Sequence, residues 1–177
     1  MAMLITGGTG TVGSLPRHHL AEQHVAVHAL TRDPSKAKFP AGVIPIAGDM
    51  LDVESMRKAL DGVSTLLLLN AVTPQELTQA LLTLRLAREA GIQRVVYLSV
   101  FHGEAFADVP HFASQYAVER MIEQAEIPAT ILRPNCFMQN DARYFREALL
   151  GPGFYPFPIG EKGVSMVDVR DISELAA

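Results

Sequence analysis

Near its N-terminus the chain reads Met3-Leu4-Ile5-Thr6-Gly7-Gly8-Thr9-Gly10-Thr11-Val12-Gly13, an apolar run that breaks directly into glycines. The spacing satisfies both Gly8-x-Gly10-x-x-Gly13 and the wider Gly7-x-x-Gly10-x-x-Gly13. Glycines in such a loop permit a tight turn, a close approach of backbone amides to a pyrophosphate, and close packing of the helix that follows. The N-terminus of that helix adds partial positive charge. Gly7, Thr9, Gly10, Thr11, Val12 and Gly13 are therefore the expected wall around the diphosphate of a dinucleotide. The plainer reading, a surface turn between strand and helix, explains less, because both flanks are those the motif requires. A mononucleotide P-loop is excluded, since no Gly-Lys-Ser or Gly-Lys-Thr follows.

Outward from this loop, short apolar runs alternate with helical patterns. Strands are expected over residues 3–6, 25–30, 43–47, 65–69, 94–99, 129–133 and 165–169. They are nearly continuous in apolarity, as in strands covered on both faces. The clearest helix spans residues 74–90, with Leu77, Leu81, Leu84 and Ala87 on one stripe and Gly91 as its stop. Strands joined through helices of this length form right-handed parallel crossovers, so the expected class is α/β, a doubly wound parallel sheet. Pro16 falls inside the first expected helix, which should start late or kink there. Residues 1–150 are expected to form the dinucleotide-binding Rossmann domain. Residues 151–177 are expected to complete the sheet edge and not to form an independent domain. Within them, residues 151–163 are rich in Gly, Pro and aromatics and read as a loop.

Composition narrows the functional classes. The 177 residues are 49% hydrophobic and 19% charged, enough for one substantial core. Fifteen Lys and Arg against 19 Asp and Glu give a net charge of −4, with no basic block, which disfavours direct nucleic-acid binding. The single cysteine, Cys136, excludes an internal disulfide framework and fits a reducing compartment. No basic leader precedes the first apolar stretch, and no run approaches the roughly 18 apolar residues of a membrane span. A soluble, cytoplasmic protein that does not bind membranes is expected. His18 and His19 lack ligand spacing and Cys136 lacks partners, so no metal is expected.

The end of the second strand is where dinucleotide-binding folds discriminate between cofactors. An acidic residue there would bond the ribose hydroxyls of NAD, whereas this chain presents Thr31-Arg32. Arg32 can form a bidentate pair with a 2′-phosphate, and Lys36 follows as a second cation, so NADPH is expected over NADH. Asp33 could instead reach the ribose, but before Pro34 it looks like an N-cap followed by a first-turn proline.

Together these segments resemble a known family. Residues 6–13, Thr31-Arg32-Asp33-Pro34 and Gly48-Asp49 are similar to the NmrA-like group of atypical short-chain dehydrogenases/reductases, in particular its quinone-reductase-like branch. So are His111-Phe112, Glu119, Ile131-Leu132-Arg133-Pro134, Phe137-Met138, Asn140 and Val167-Asp168-Val169-Arg170-Asp171-Ile172. The resemblance implies that Asp49 accepts from the adenine amino group and that Met50 covers the ring. It further implies that Asn70, Ala71 and Ser99 line the ribose and nicotinamide, and that Pro134, Asn135 and Phe137 form the wall beside the nicotinamide. A turn role for Asp49 and a structural loop for the others remain alternatives. Family members continue well beyond the Val167 to Ile172 segment, so the resemblance implies that residues 151–177 begin a C-terminal substrate-binding region, either truncated here or left out of a minimal cofactor-binding form.

The departures matter as much. Reductases of the group carry a lysine four residues after the histidine matched by His111, and here that place is Gln115. There is no Tyr-x-x-x-Lys either, because Tyr116 is followed by Arg120. Gln115, Tyr116 and His111 are the only catalytic candidates, each with a packing role as its rival. Cys136 has no clear base beside it and reads as a small filler. Two functions stand. One is NADPH-dependent reduction of a small quinone-like acceptor, whose reduced anion is delocalised and can take its proton from solvent, with simple ketones inert. The other is an NmrA-type redox sensor that binds NADP(H) without turnover and acts through a protein partner. A homodimer is compatible with either.

Overall fold

The computed structural model describes residues 2–10, 12–36, 38–157 and 160–177, with the side chains of residues 17–19 and 22 left out. Six parallel strands form the main sheet: β1 (Ala2–Ile5), β2 (Ala26–Thr31), β3 (Val43–Ala47), β4 (Val63–Leu68), β5 (Arg94–Leu98) and β6 (Ala129–Leu132), in the order β3-β2-β1-β4-β5-β6. The chain therefore folds as the expected doubly wound α/β sheet. Consecutive residues of the central strands are buried, Leu4 with Ile5 and Leu66 with Leu67 and Leu68, which requires cover on both faces.

The cover divides into two apolar layers. On one face α2 (Val53–Leu60), α3 (Glu76–Glu89) and α4 (Pro110–Gln124) bury Met56, Leu60, Leu84, Val118 and Ile122 against Leu4, Leu66 and Leu68. On the other, α1 (Ser14–Glu22) and α6 (Val169–Ala176) bury Leu20 and Ala176 with Met3, Ile5, Val27 and Leu67. The order reverses between β1 and β4, and at such a switch point the loops leaving the two strands part to opposite faces and open a crevice.

Local chemistry sets the helix limits. Pro16 sits in the first turn of α1, where its missing N–H is among those a helix leaves unpaired, so the helix starts late enough to accept it. At the other end of α3, Gly91 adopts φ +72°. Ile92 N–H donates to Ala87 O and Gly91 N–H to Arg88 O, a Schellman stop at the residue expected.

One expectation is corrected. Residues 165–169 do not complete the edge of the main sheet: β8 (Met166–Val167) pairs in parallel with β7 (Cys136–Phe137) as a separate two-stranded sheet. The reason lies in Asp168, whose carboxylate caps α6 by accepting from Arg170 N–H and also accepts from Gln139 Nε2. Gln139 Oε1 in turn accepts from Val169 N–H, so the segment is tied to the chain after β7. Between them the chain forms a π-helical stretch (Asp141–Phe145) and the short α5 (Arg146–Leu150). Among the described residues no helix is long and apolar enough to cross a membrane.

Candidate cofactor and substrate cleft

The C-terminal ends of the strands open into one cleft of about 1270 Å³. Its floor is the switch point, latched by a residue the motif reading did not single out. Thr6, fully buried, donates through Oγ1 to Leu69 O (2.9 Å) and accepts from Leu69 N–H (2.8 Å), which extends the β1–β4 pairing past the strand ends. Gly7 then turns at φ +60°, and its carbonyl accepts from Gly10 N–H at 2.9 Å. A Cβ on Gly13 would stand 2.4 Å from Gly7 O and 2.9 Å from Leu69 Cδ1, so only glycine lets α1 approach this closely. The result is a concave run of backbone at a helix N-terminus, which fits a diphosphate. Gly7, Thr9, Gly10, Val12 and Gly13 line the cleft. Thr11 lies outside the described residues.

At the β2 end, Arg32 is exposed and lines the cleft with no hydrogen bond or ion pair among the described residues. Asp33 is otherwise engaged. Its Oδ1 accepts from Ser35 N–H (3.0 Å) and Ser35 Oγ (2.6 Å), and its Oδ2 meets Lys36 Nζ at 3.1 Å. Those bonds, the Ser35 hydroxyl first, hold the Asp33 carboxyl below the usual carboxylate range. Asp33 is thus the N-cap read from the sequence, and Lys36 is paired with it across a 3-10 turn (Pro34–Lys36) rather than standing free. Asp49 and Met50 line the same end. Asp49 Oδ1 accepts from Leu51 N–H at 2.9 Å, so the aspartate shapes its turn with one oxygen and keeps the other for a ligand.

At the opposite end, Asn70 and Ala71 follow β4, Ser99 follows β5, and Pro134, Asn135 and Phe137 follow β6; all line the cleft. Asn70 Nδ2 donates to Glu76 O (3.3 Å), while Asn70 Oδ1 and the neighbouring Thr73 Oγ1 are buried without a hydrogen-bond partner. Such atoms are costly unless a ligand or water meets them. Ser99 Oγ donates to Glu119 Oε1 at 2.5 Å, and Arg133 clamps both oxygens of Glu119 at 2.7–3.1 Å. Burial alone would push the Glu119 carboxyl up, but the bonds from Arg133 and Ser99 outweigh it and hold the group below its ordinary value. The hydroxyl of Ser99 is therefore spent on the brace, and what it presents to the cleft is shape. Asn135 Nδ2 donates to Ser165 Oγ at 2.5 Å, joining the wall to the segment before β8.

The three catalytic candidates separate. His111 and Gln115 line the cleft; Tyr116 does not, and the Arg120 guanidinium lies 5.1 Å above its ring centroid while bonding Glu123. Gln115 is 5% exposed, and its Oε1 accepts from the buried Tyr97 hydroxyl. Burial pushes the Tyr97 hydroxyl far up, with the negative charge of Glu119 adding to it, so Tyr97 stays a proton donor to the amide. That leaves the Gln115 NH2 as the polar group facing the cleft. His111 Nδ1 meets both oxygens of Glu76, at 2.9 and 3.1 Å. Phe101, His102, Phe106, Phe112 and Tyr144 add an aromatic rim. The sequence signal for Glu76 was only that of an acidic first-turn residue, and the rim beyond Phe112 carried none, because Phe101, His102 and Phe106 lie in the irregular loop before α4 and Tyr144 more than thirty residues on.

Comparison with known proteins fits this geometry. An NAD(P)H azoreductase of Xenophilus azovorans is 31% identical over 178 residues, covering 98% of this chain and 61% of that protein. The triphenylmethane reductase of Citrobacter sp. superposes with a TM-score of 0.88 at 27% identity, over 100% of this chain and 64% of that one. The same reductase complexed with NADP(H) matches at 28% identity and a TM-score of 0.73, over 84% and 55%. A photosystem II assembly factor, Ycf39 of Synechocystis sp., is 27% identical over 149 residues, covering 78% of this chain and 46% of the factor. The chain thus spans less than two thirds of the length of these relatives. The profile of the NmrA-like family matches residues 1–177 throughout, and with the glycine cradle at its switch point the chain belongs to the NmrA-like family.

Proposed function

We propose that the cleft binds NADPH and that the protein directs its hydride to a flat, conjugated small-molecule acceptor of the quinone type. The observation that carries this reading is one continuous cleft, from Arg32 across the glycine cradle to the unpartnered Asn70 Oδ1 and then to an aromatic rim. The cradle and the backbone around Gly10 hold the diphosphate, Arg32 the 2′-phosphate, Asp49 and Met50 the adenine, and Asn70, Ala71, Ser99, Pro134, Asn135 and Phe137 the ribose and nicotinamide. Bound NADPH supplies the hydride. The chain's own part is to orient both reactants and to exclude water, with Gln115 NH2 donating to an acceptor or ribose oxygen. Azo and triphenylmethane dyes, named for the two reductase relatives, are extended conjugated electron acceptors, the shape the rim suits.

The redox-sensor reading keeps one specific support, the neutral amide of Gln115 where reductases of the group carry lysine. A single series of measurements separates the two. NADPH and NADH are titrated by calorimetry, and oxidation of bound NADPH is then followed against quinones, azo dyes and simple ketones. NADPH is expected to bind several-fold tighter, because a charge-assisted pair to the phosphate is worth about 1.5–3 kcal/mol. Arg32→Ala should erase most of that gap. Equal affinities for the two cofactors sink the phosphate assignment, and tight binding with no turnover on any acceptor, in a chain extended past Ala177 where a longer form exists, favours the sensor over the reductase.

A further inference from the structure

The geometry points to Glu76 and His111 as a proton-delivery pair for the reduced acceptor, an inference that rests on the reductase reading above and revises the expectation that solvent supplies the proton. Glu76 opens α3 at 6% exposure, and its carboxylate has no hydrogen-bonding side chain other than His111 among the described residues. A buried carboxylate with one partner is an expensive way to hold two helices together, since an apolar pair would do so without the desolvation cost. What it does achieve is to fix a ring. With Nδ1 donating to Glu76, the tautomer and orientation of His111 are set, and Nε2 is the nitrogen left to the cleft that His111 lines. This is the carboxylate–imidazole arrangement used wherever a histidine must exchange a proton at one defined atom.

A second observation marks the same spot as a ligand position. Asn70 and Thr73, in the loop between β4 and α3, line the cleft, their Oδ1 and Oγ1 are buried without a hydrogen-bond partner among the described residues, and Asn70 is bonded to the backbone of Glu76 itself. Asn70, Thr73 and the His111 ring therefore all line the cleft at the end where the N-termini of α3 and α4 meet the end of β4. They suit a ligand edge bearing an oxygen that first accepts and, once protonated, donates. A quinone becoming a hydroquinone has that character.

The step balances as follows. The acceptor gains a hydride with its electron pair while the nicotinamide is oxidised, and the π pair of a carbonyl retreats onto oxygen. The Nε2–H bond of the imidazolium breaks as the new O–H bond forms, and the neutral imidazole left behind is reprotonated from solvent. Glu76, whose carboxylate bonds no side chain but His111 among the described residues, is a positioning residue in this scheme.

The test uses the full chain with NADPH and 1,4-benzoquinone, comparing the unaltered protein with His111→Gln and Glu76→Gln in single turnovers in H2O and D2O. NADPH affinity by calorimetry and the far-ultraviolet dichroism spectrum serve as controls on folding and binding. His111→Gln is expected to slow NADPH oxidation by about a hundredfold, the low end of general-acid effects, and to abolish the solvent isotope effect, with NADPH affinity within twofold. Glu76→Gln should lower the rate several-fold while KM for benzoquinone stays within twofold. In the same variant, imidazole 15N shifts recorded at a pH where the ring is neutral should show the single Nδ1–H tautomer give way to a mixture, a change that loss of helix packing alone would not produce. If His111→Gln turns over within twofold of the unaltered rate and keeps the isotope effect, the pair is overturned while the reductase reading stands. If the unaltered protein oxidises no NADPH, both fall.

Discussion

At the scale of single residues the cleft depends on a side chain outside the glycine motif proper. Thr6 is the joint at which the loops after β1 and β4 are held in register, and both Leu69 backbone groups rely on its hydroxyl. Thr6→Val keeps the volume and β-branching but leaves a buried N–H and a buried C=O unpaired. Each such group costs about 1–3 kcal/mol, so the urea midpoint should drop by an amount equivalent to about 2–4 kcal/mol. A loss under about 0.5 kcal/mol would mean that the switch point is held by the strands alone. Arg32 is the contrasting case, exposed and unpaired, whose removal should leave stability unchanged and act only on cofactor choice.

Elements are held in place by stops and braces. α1 and α4 end in the same 6→1 bond as α3, Val25 N–H to Leu20 O and Ile127 N–H to Ile122 O, yet their left-handed residues are His24 at φ 60° and Glu126 at φ 52°. Both pay a steric cost that Gly91 avoids. Glu126→Gly should therefore stabilise the fold by about 0.5–1 kcal/mol, the left-handed strain relieved less the extra chain entropy of glycine, read as a rise in Tm. An unchanged or lowered Tm would show that the Glu126 side chain contributes something its contacts do not reveal.

The brace of Ser99, Glu119 and Arg133 joins α4 to the ends of β5 and β6. Its Glu119 carboxyl is held below 4.5 in the fold, so the stability it contributes is present above that value and is lost as pH falls through the folded one. Arg133→Ala should cost about 2–3 kcal/mol at pH 7, less than for a fully enclosed pair because the guanidinium is half exposed. The gap between variant and parent should then shrink as pH falls, starting where the buried carboxyl of the variant, freed of Arg133, protonates and closing below 4.5, where that of the parent does. A gap independent of pH would assign the loss to packing of the arginine stem.

For the molecule as a whole, a cofactor that spans the sheet's C-terminal edge couples the two helical layers. NADPH at a hundredfold its Kd should stabilise the fold by about 2.7 kcal/mol. For a domain of this size that corresponds to a Tm rise of about 5–10 °C. Gly10→Val tests where this coupling enters. A Cβ there meets only Gly7 O at 3.2 Å, so the variant should fold, while its branched side chain stands where the diphosphate would lie. The Tm of the variant without cofactor should stay within about 4 °C of the parent, and the NADPH-dependent rise should vanish. A full rise in Gly10→Val would place the diphosphate elsewhere.

What the sequence determined by itself was whatever repeats locally or is imposed by backbone sterics. The strands read as continuous apolar runs because both their faces are covered, α3 ended at Gly91 because only glycine enters the left-handed region freely, and the glycine loop was legible by its local spacing, although Gly7, Gly8 and Gly13 also answer contacts with Leu69 and Ala29. Asp33 was readable as a cap for the same reason: its partner Ser35 is two residues away. Tertiary structure alone decided the pairings across the fold. Thr6 finds Leu69, Glu76 finds His111, Tyr97 finds Gln115 and Ser99 finds Glu119 at separations of 63, 35, 18 and 20 residues. It also decided that residues 166–167 pair with β7 rather than with the main sheet, because a two-residue strand carries too little pattern to choose its neighbour and the caps at Asp168 and Gln139 choose for it. Hydrogen bonds between distant side chains leave no period in a sequence, and the end of this cleft around Gln115, His111 and Ser99 is tied together by them.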